Sequence, residues 1–395
     1  MSQNNLYFLL VNNNFVSINV GRGGIKVLGN YDAVSGGESL SQGSAQSSKT
    51  YSAPNKLKYP PLEDNHGRTF DYVRIAITEK CNLRCTYCMP EEGVDFANGE
   101  KILSADEILR VVRVLAEMGV RKVRFTGGEP LVRKDIIKLV EGTANTPGVT
   151  GVHLTTNGII FPKYAHALRD AGLTGLNISL DTLDPARFEE ITRRPGMEKV
   201  HESIALAQEL GFPRVKINNV VMKGFNDHEL NEFAAMTEKQ KITVRFIEFM
   251  PFDAQQIWET GEYFLSAESM IKHLKEKFPG MAPASGTRTE HHIYQVPGWA
   301  GKIAIIPAFT RSLCGNCSRI RVTADGGVRN CLYSDDEYSL MEMLRDGCED
   351  IDIVNKFRTA FKDKAVDGFE SRKKAIKREQ TINFQGRSSM TKIGG

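Results

Sequence analysis

Beyond residue 71, short runs of alternating apolar and polar positions are each followed by a longer segment with helical periodicity. The alternating runs predict six strands, at residues 72–78, 122–126, 152–156, 175–180, 214–221 and 242–248. Helix starts are recognisable too, since Ser104 and Glu107 form a capping box and Pro185 follows Asp184. Six strand–helix units in succession predict an α/β protein whose parallel sheet curls into a full or partial barrel.

Each predicted strand has an apolar face for the helices and a polar face for the inside of the barrel. In the first strand, Val73, Ile75 and Ile77 alternate with Arg74 and Thr78. The other strands place on the polar face Arg124, Thr126, His153, Thr155, Asn177, Ser179, Asp181, Lys216 and Asn218. Burying cations without a counter-charge is costly, so we expect an anionic ligand inside the barrel, unless the sheet is half open and these residues face solvent. The sixth strand does not fit this pattern, because Glu248 and Met250 fall in its apolar register.

Residues 1–66 differ in composition from the rest of the chain. They are rich in Asn, Ser and Gly, and no acidic residue precedes Asp32. We interpret them as an extension outside the fold, either a disordered tail or a mitochondrial targeting segment, although only Arg22 and Lys26 supply positive charge before Asp32. A targeting segment would direct the protein to the mitochondrial matrix, and otherwise we expect the cytoplasm. The barrel then covers residues 67–250, and a C-terminal α+β region covers residues 251–395.

The composition narrows the class of protein. A formal net charge of +3 is too small to indicate binding to nucleic acid or to an anionic membrane. No apolar run reaches the ~20 residues that a membrane-spanning helix needs. The seven cysteines cannot all pair within one chain, and three of them lie too close together for mutual disulfides. A reducing compartment and metal ligation are therefore expected.

Three of these cysteines form a loop directly after the first strand. Cys81, Cys85 and Cys88 have the spacing C-x3-C-x2-C. Three thiolates can hold three irons of a four-iron cubane, and one iron then stays open to another ligand. A zinc site completed by a distant residue is the alternative, although zinc sites more often use C-x2-C pairs.

With Tyr87 beside the last cysteine, this loop resembles the signature of the radical S-adenosylmethionine (SAM) superfamily. The run Gly127-Gly128-Glu129-Pro130 after the second strand is similar to the glycine-rich SAM contact of that superfamily. The resemblance covers residues 72–250. It implies an incomplete (β/α)6 TIM-like barrel in which the open iron of a 4Fe–4S cluster binds SAM, whose reductive cleavage releases a 5′-deoxyadenosyl radical.

A second group of cysteines lies near the C-terminus. Cys314, Cys317 and Cys331 have the spacing C-x2-C-x13-C, and the hairpin signal at residues 325–327 would bring the third cysteine back towards the first two. A second 4Fe–4S cluster with an open iron is indicated, and a zinc ribbon completed by Cys348 is the alternative.

Two arginines follow this cysteine pair on a predicted strand. Arg319 and Arg321 share one face, beside the second group of cysteines. Guanidinium groups in such a position suit a phosphate or a purine edge. Surface arginines that contact only solvent are the alternative.

Together with the terminal Gly394-Gly395, these motifs resemble the MoaA-type GTP 3′,8-cyclases of molybdenum cofactor biosynthesis, from about residue 72 to the last residue. The resemblance implies a lyase in which the radical takes the 3′ hydrogen of GTP and the ribose radical adds to C8 of guanine. The product would be 3′,8-cyclo-7,8-dihydro-GTP, which a cyclic pyranopterin monophosphate synthase of the MoaC type consumes. An electron donor is also implied, and a homodimer stays open.

The resemblance assigns roles to individual residues. Cys81, Cys85 and Cys88 would bind the first cluster, and Cys314, Cys317 and Cys331 the second. Those expected to contact SAM are Tyr87, Gly128, Ser179 and Met250. Those expected to bind GTP are Arg74, Arg124, Thr155, Lys216, Arg319 and Arg321. In the family the terminal Gly394 and Gly395 enter the active site, where backbone without side chains can approach a crowded ligand.

Two other hypotheses compete with a GTP cyclase. The first is a radical enzyme that modifies peptides or proteins and carries an auxiliary cluster. Its auxiliary region would normally hold more cysteines than the four after residue 313. The second is a zinc-stabilised binding module without catalysis, which iron analysis would distinguish.

Overall fold

The computed structural model describes residues 5–11, 14–21, 24–31, 57–93, 96, 99–250, 262–285, 292–310, 314–334, 337–379 and 391. The chain divides into two compact units, Met1–Thr50 and Tyr51–Gly395. Within the described part of the chain, no helix is long and apolar enough to cross a membrane.

The first unit contains a three-stranded antiparallel sheet, although the composition predicts no fold before residue 67. Its strands are β1 (Asn5–Val11), β2 (Asn14–Gly21) and β3 (Gly24–Tyr31), in the order β1-β2-β3. The prediction that residues 1–66 lie outside any fold rests on composition and leaves out the alternation of apolar and polar residues in this region. In β2, Val16, Ile18 and Val20 alternate with polar residues, Ile25 and Val27 do so in β3, and only two residues separate each strand from the next.

The second unit is built on the six strands that the alternation predicts. They are β4 (Tyr72–Ala76), β5 (Lys122–Thr126), β6 (Gly151–Thr156), β7 (Gly175–Ser179), β8 (Val215–Val221) and β9 (Thr243–Glu248). Each is parallel to the next. The predicted α/β class and the incomplete barrel are thus confirmed, and every predicted strand lies within two residues of its observed bounds.

The sheet continues beyond these strands on both sides. The further strands are β10 (Ala282–Pro283), β11 (His292–Gln295), β12 (Lys302–Ile306), β13 (Arg319–Val322), β14 (Gly327–Arg329) and β15 (Tyr338–Ser339). The strand order is β10-β11-β12-β9-β8-β7-β6-β5-β4-β13-β14-β15, with β12 parallel to β9 and β13 parallel to β4. Strands from both sides of the boundary predicted at residue 250 therefore share one sheet.

Helices follow most of the parallel strands. They are α1 (Ala105–Glu117), α2 (Ile136–Ala144), α3 (Phe161–Asp170), α4 (Pro185–Thr192), α5 (Met197–Glu209), α6 (Leu230–Lys239), α7 (Ala267–Lys277), α8 (Met341–Arg345), α9 (Asp350–Lys362) and α10 (Gly368–Glu379). The capping box of α1 is present, since Ser104 accepts from the backbone of Glu107 and Glu107 accepts from the backbone of Ser104. In the second unit, the apolar faces of helices and strands form one large buried core, and Ile191, Met222 and Phe249 form a second, small cluster.

Glu248 interrupts the apolar register of β9 for a structural reason. Its carboxylate is 1% exposed and accepts from the backbone N–H of Ala267 at 2.7 Å, at the start of α7. It also accepts from the backbone N–H groups of Phe309 and Thr310, both at 2.8 Å. The carboxylate therefore caps a helix and fixes the turn after β12, and it faces away from the inside of the barrel.

Candidate active site

The first cysteine loop follows β4 and is held by the end of α4. The backbone N–H of Arg84 donates to the carbonyl of Thr192 at 2.9 Å, and that of Thr86 donates to Ile191 at 2.8 Å. The guanidinium of Arg193 donates to the carbonyls of Arg84 and Met89 at 3.0 and 3.1 Å. Backbone hydrogen bonds from a neighbouring helix therefore fix the conformation of the loop.

The two glycines after β5 lie against the start of this loop. The backbone N–H of Gly128 donates to the carbonyl of Thr78 at 2.8 Å, and that of Glu129 donates to Lys80 at 2.8 Å. A Cβ atom on Gly127 would lie 2.2 Å from the carbonyl oxygen of Thr78, and one on Gly128 would lie 2.4 Å from that of Lys80. Only glycine permits this close approach of the two loops.

We expect Gly128→Ala to displace the cysteine loop, because the atoms that its Cβ would meet are backbone atoms. The free energy of unfolding should fall by about 1–3 kcal/mol, and SAM affinity should fall at least about tenfold. Denaturant unfolding and calorimetric titration with SAM measure the two effects. Gly99→Ala is the matched control, since a Cβ at that position meets no atom within 4 Å. Equal SAM affinity in both variants would contradict the packing argument.

The thiols of the first loop are partly buried. Burial raises the pKa of Cys81 to about 11 and that of Cys85 well above its usual value. A nearby positive charge must offset the cost of ionising them, and a metal cluster that binds the thiolates supplies it. All seven cysteines are free thiols, and no three His, Cys, Asp or Glu side chains among the described residues converge on a single metal ion. A cubane does not need that convergence, because each thiolate binds a different iron.

A small pocket that is partly open to solvent lies beside this loop. Its walls include Cys85, Tyr87, Asn157, Ser179 and Asp181, so two of the four predicted SAM contacts line it. The Tyr87 hydroxyl donates to Oδ2 of Asp181 at 2.6 Å, and burial raises the pKa of that carboxyl to about 6. The other two predicted contacts lie elsewhere: Gly128 packs on the cysteine loop, and the Met250 sulfur accepts from Tyr333 at 3.0 Å.

Glu129 connects the loop after β5 to the loop after β6, a role that the sequence analysis did not assign. Its carboxylate is 1% exposed and accepts from Leu131 N at 3.0 Å, Thr156 Oγ1 at 2.8 Å and Asn157 N at 2.7 Å. Burial raises its pKa to about 7 despite these bonds. Asn157 in turn donates to Asn82 in the cysteine loop at 2.8 Å. Glu129 therefore positions the cysteine loop, although it is not one of the predicted cluster ligands.

A row of cationic and polar residues crosses the inner face of the sheet. Arg321 on β13, Arg74 on β4, Arg124 on β5 and His153 on β6 are successive register neighbours. Arg329 on β14 is the register neighbour of Arg321 and extends the row. Residues in register point to the same face of a sheet, so the polar face predicted from alternation is one continuous surface.

Arg124 also bonds to Tyr72, which lies two residues before Arg74 on β4. The Arg124 Nε donates to the Tyr72 hydroxyl at 2.6 Å, and the guanidinium also bonds to Nδ1 of His153 at 3.0 Å and donates to Oγ1 of Thr155 at 3.1 Å. Burial alone would raise the pKa of the Tyr72 phenol, but Arg124, Arg74 and other cations hold it well below its usual value. These contacts connect two predicted GTP ligands, Arg124 and Thr155.

The arginines of β13 lie close to other cations. Burial and the charges of Arg74 and Arg319 lower the pKa of Arg321 to about 9. Burial and Arg74 lower the pKa of Arg319 as well. Like charges held together in a buried place raise the free energy of the chain, and a bound anion would lower it. The electrostatics of the site therefore match an anionic ligand.

Two further register rows complete the inner face. Thr155, Asn177 and Lys216 are neighbours on β6, β7 and β8, so the predicted GTP ligand Lys216 also shares this face. Ser179, Asn218 and Arg245 are neighbours one step further along the strands. Four residues of the inner face, Tyr72, Lys122, Arg245 and Arg329, were not among the polar-face residues predicted from the sequence. Tyr72 and Lys122 lie two residues before Arg74 and Arg124 on the same strands, and Arg245 is in register with Asn218. Strict alternation along the strands could therefore have identified all three.

The second group of cysteines also comes together. Cys314 and Cys317 flank one turn, in which the backbone N–H of Cys317 donates to the carbonyl of Cys314 at 3.2 Å. The predicted hairpin is present: β13 pairs with β14 around Gly326, whose φ of +84° suits glycine, and Cys331 returns two residues after β14. Burial and the nearby thiols of Cys331 and Cys317 raise the pKa of Cys314.

Three cations offset the negative charge that the thiolates of the second cysteine group would carry. Burial alone would raise the pKa of Cys317, but Lys364, Arg319 and Arg321 together lower it. Cys348, the alternative fourth zinc ligand, lies between α8 and α9, where its carbonyl accepts from Arg110 on α1 at 2.5 Å. Gly394 and Gly395 lie outside the described residues.

The two cysteine groups are at opposite ends of the same pair of parallel strands. Cys81 follows the carboxyl end of β4, whereas Cys317 precedes the amino end of β13. Arg74 and Arg321, in register at the middle of these strands, lie between the two ends. A ligand held by this row would therefore have one cysteine group on each side.

Two family models match the chain. The model of the radical SAM superfamily matches residues 75–237, and the model described as Molybdenum Cofactor Synthesis C matches residues 242–369. A GTP 3′,8-cyclase of Chlorobaculum tepidum is 41% identical over 336 residues, which cover 85% of this chain and 97% of that protein. Molybdenum cofactor biosynthesis protein 1 of Dictyostelium discoideum is 43% identical, over 74% of this chain and 48% of that protein. The chain thus spans about half the length of that eukaryotic relative.

Solved structures agree on the fold. Streptococcus suis SuiB, crystallised with S-adenosylmethionine, matches with a TM-score of 0.51 and 16% identity, over 75% of this chain and 65% of that chain. At this identity the likeness concerns the fold alone. The matched models and the bacterial relative establish the family. This chain therefore belongs to the GTP 3′,8-cyclase family of the radical SAM superfamily, whose members carry a 4Fe–4S cluster and use SAM.

Proposed function

We propose that this chain is a GTP 3′,8-cyclase that converts GTP to 3′,8-cyclo-7,8-dihydro-GTP, the first step of molybdenum cofactor biosynthesis. The observation that carries the proposal is the row of Arg321, Arg74 and Arg124 between the two cysteine groups, in which Arg321 and Arg124 are buried. A triphosphate is attracted to such a concentration of positive charge, and arginine binds phosphate oxygens through two parallel hydrogen bonds.

The first cysteine group has the donors for a cluster with one open iron. Cys81, Cys85 and Cys88 would hold it, and Tyr87 and Ser179 line the adjoining cavity, where SAM would lie. Gly128 would let the loop after β5 approach SAM, and Met250 would contact it from the carboxyl end of β9. When bound, the cluster and SAM would supply the 5′-deoxyadenosyl radical needed to take the 3′ hydrogen of GTP.

The second cysteine group would hold another 4Fe–4S cluster. Cys314, Cys317 and Cys331 form a partly buried trio next to cations that offset thiolate charge, and this donor set fits a cluster. The second cysteine group is at the amino end of β13, on the opposite side of the arginine row from the first cysteine group. We propose that it meets the guanine, while the radical site meets the ribose.

The role of the inner face is to bind and orient GTP. Arg74, Arg124 and Lys216 would hold the triphosphate, with Thr155 fixed by its bond to Arg124. Arg319 and Arg321 lie nearest along the chain to Cys317 and would fix the nucleotide beside the second group. Because the cations are already fixed on strands, the reacting carbon is held near the radical source without reorganisation of the site.

The proposal includes partners and location. An electron donor must reduce the first cluster, and a cyclic pyranopterin monophosphate synthase of the MoaC type would consume the product. A homodimer, a mitochondrial location, and entry of Gly394 and Gly395 into the active site stay predictions. Size-exclusion chromatography, fractionation of cells and deletion of the two glycines would test them separately.

An anaerobic assay tests the proposed reaction. The reconstituted chain is incubated with SAM, a strong reductant and GTP, and the products are analysed by mass spectrometry. We expect 5′-deoxyadenosine and a product of the same mass as GTP to rise together, because the hydrogen atom that passes from GTP to 5′-deoxyadenosine is replaced by an electron from the reductant and a proton. ATP is the control nucleotide. If GTP does not increase 5′-deoxyadenosine above the level with ATP, the proposed substrate is wrong.

A further inference from the structure

A buried ion pair lies in the turn at residues 64–68, which precedes β4. The Nε of Arg68 donates to Oδ2 of Asp64 at 2.6 Å, and these side chains are 9% and 0% exposed. The other carboxylate oxygen accepts from the backbone N–H groups of His66 and Arg68, at 2.9 and 3.0 Å. Asp64 therefore fixes both the turn and the direction of the guanidinium.

The remaining donors of Arg68 reach two distant parts of the chain. Nη1 donates to the carbonyl of Cys314 at 3.0 Å and to that of Val366 at 2.6 Å, and Nη2 donates to Ala365 at 2.8 Å. One guanidinium thus joins the loop of the second cysteine group to the chain before α10. The planar fork of arginine is suited to several simultaneous bonds of this kind.

Two neighbours of Arg68 bind the same part of the chain, residues 362–368, which we call the bracing segment. Nδ2 of Asn65 donates to the carbonyl of Lys362 at 2.6 Å. Nε2 of His66 lies 3.1 Å from the carbonyl oxygen of Lys364. Three side chains of the turn therefore contact four carbonyl groups of the bracing segment, those of residues 362, 364, 365 and 366.

The bracing segment contacts the loops of two of the three second-group cysteines. The backbone N–H of Gly368 donates to Sγ of Cys314 at 3.3 Å. Nζ of Lys364 donates to the carbonyl of Asn330, the residue before Cys331. Hydrogen bonds to cysteine sulfur and nearby charge are among the features that tune an iron–sulfur cluster.

We propose that Arg68, held by Asp64, is a positioning residue for the second cysteine group. It fixes the Cys314 loop against the bracing segment, so that the thiolates are arranged before metal arrives. The inference rests on the second cluster of the proposed function. It assigns a role in that site to residues more than 240 positions away along the chain.

Iron content tests the proposal in the full chain. Under anaerobic reconstitution we expect about eight irons per chain in the wild type and about four in Arg68→Ala, because only the first cluster assembles. Arg68→Lys should resemble Arg68→Ala, since one ammonium cannot reproduce the planar fork. Electron paramagnetic resonance should show the loss of one of two cluster signals in both variants. If Arg68→Ala or Arg68→Lys retains eight irons, the positioning role is refuted.

Arg345→Ala is the matched control. Arg345 also donates to a carboxylate, that of Glu107, and to two backbone carbonyls, those of Glu100 and Ile102. It makes no recorded contact with either cysteine group. The control should keep about eight irons, which separates a specific effect at the second group from general loosening of the fold.

A second measurement keeps this inference distinct from the proposed function. In the metal-free chain, alkylation of Cys314 followed by peptide mass analysis should be at least about tenfold faster in Arg68→Ala than in the wild type, because charged hydrogen bonds that hold the loop are lost. Alkylation of Cys81 should not change. A wild type with only four irons would contradict the second cluster, and the Cys314 rate would still decide the role of Arg68. An unchanged rate overturns that role.

Discussion

Cys81→Ala is expected to abolish reductive cleavage of SAM. The remaining two thiolates of the first group cannot hold three irons, so the cluster is lost and iron content falls from about eight to about four per chain. The loop itself should stay folded, because its anchors are backbone bonds to Thr192 and Ile191, which do not involve the thiol. Production of 5′-deoxyadenosine under strong reductant measures the effect.

Cys348→Ala provides the control for this variant. Cys348 lies outside both cysteine groups, between α8 and α9, and should retain full iron and full SAM cleavage when replaced. Cys314→Ala should show a third pattern, with SAM cleavage kept and the cyclised product lost. SAM cleavage at the wild-type rate in Cys81→Ala would contradict the assignment of the first group.

Arg319→Ala is expected to weaken GTP binding about 100-fold while leaving GTP-independent SAM cleavage. Removing one partner from a buried charge-assisted contact costs about 2–5 kcal/mol, and 100-fold corresponds to about 2.7 kcal/mol. The empty site should stay folded, because the backbone pairing of β13 with β4 does not involve the guanidinium. Calorimetric titration with GTP and thermal unfolding measure the two effects.

Arg169→Ala is the control for a lost arginine. Its guanidinium lies at the end of α3 and pairs only with the neighbouring Asp170 among the recorded contacts, with a side chain 45% exposed. Its loss should change neither GTP affinity nor SAM cleavage. If Arg319→Ala binds GTP as tightly as this control, Arg319 has no part in binding the nucleotide.

The alternation of residues along each strand was sufficient to predict which side chains share the inner face. Arg74, Arg124, Thr155 and Lys216 were placed on that face from the sequence, and register confirms that they share it. The period of a strand is two residues wherever the strand lies, so this information is local. The same rule failed at Glu248, whose partners Ala267 and Thr310 are 19 and 62 residues away.

Which strands would extend the sheet was not predictable in this way. Placing β13 beside β4 brings Arg321 into register with Arg74 although they are far apart along the chain. Nothing in the local pattern of either strand specifies the other as its neighbour. The crowding that lowers the pKa of Arg321 follows from this pairing, and so does the position of the second cysteine group opposite the first.

The role of residues 57–66 could not be predicted from the local sequence pattern either. Composition assigned them to an extension, yet Leu62 and the Asp64 side chain are buried, and Asp64 supports the arginine that reaches Cys314. A short polar turn has no periodicity to reveal its role. Its importance depends on carbonyl groups of residues 314 and 362–366, whose positions only the folded chain defines.

The sequence by itself determined the chemistry of the protein. Spacing alone identified two groups of three cysteines, and alternation identified a cationic inner face, because ligand spacing and strand period are local properties of the chain. Only the tertiary structure decided how these parts combine. The pairing of β13 with β4, the packing of Gly128 on Lys80 and the bonds of Arg68 all join residues distant in sequence, and such contacts form only when the whole fold closes.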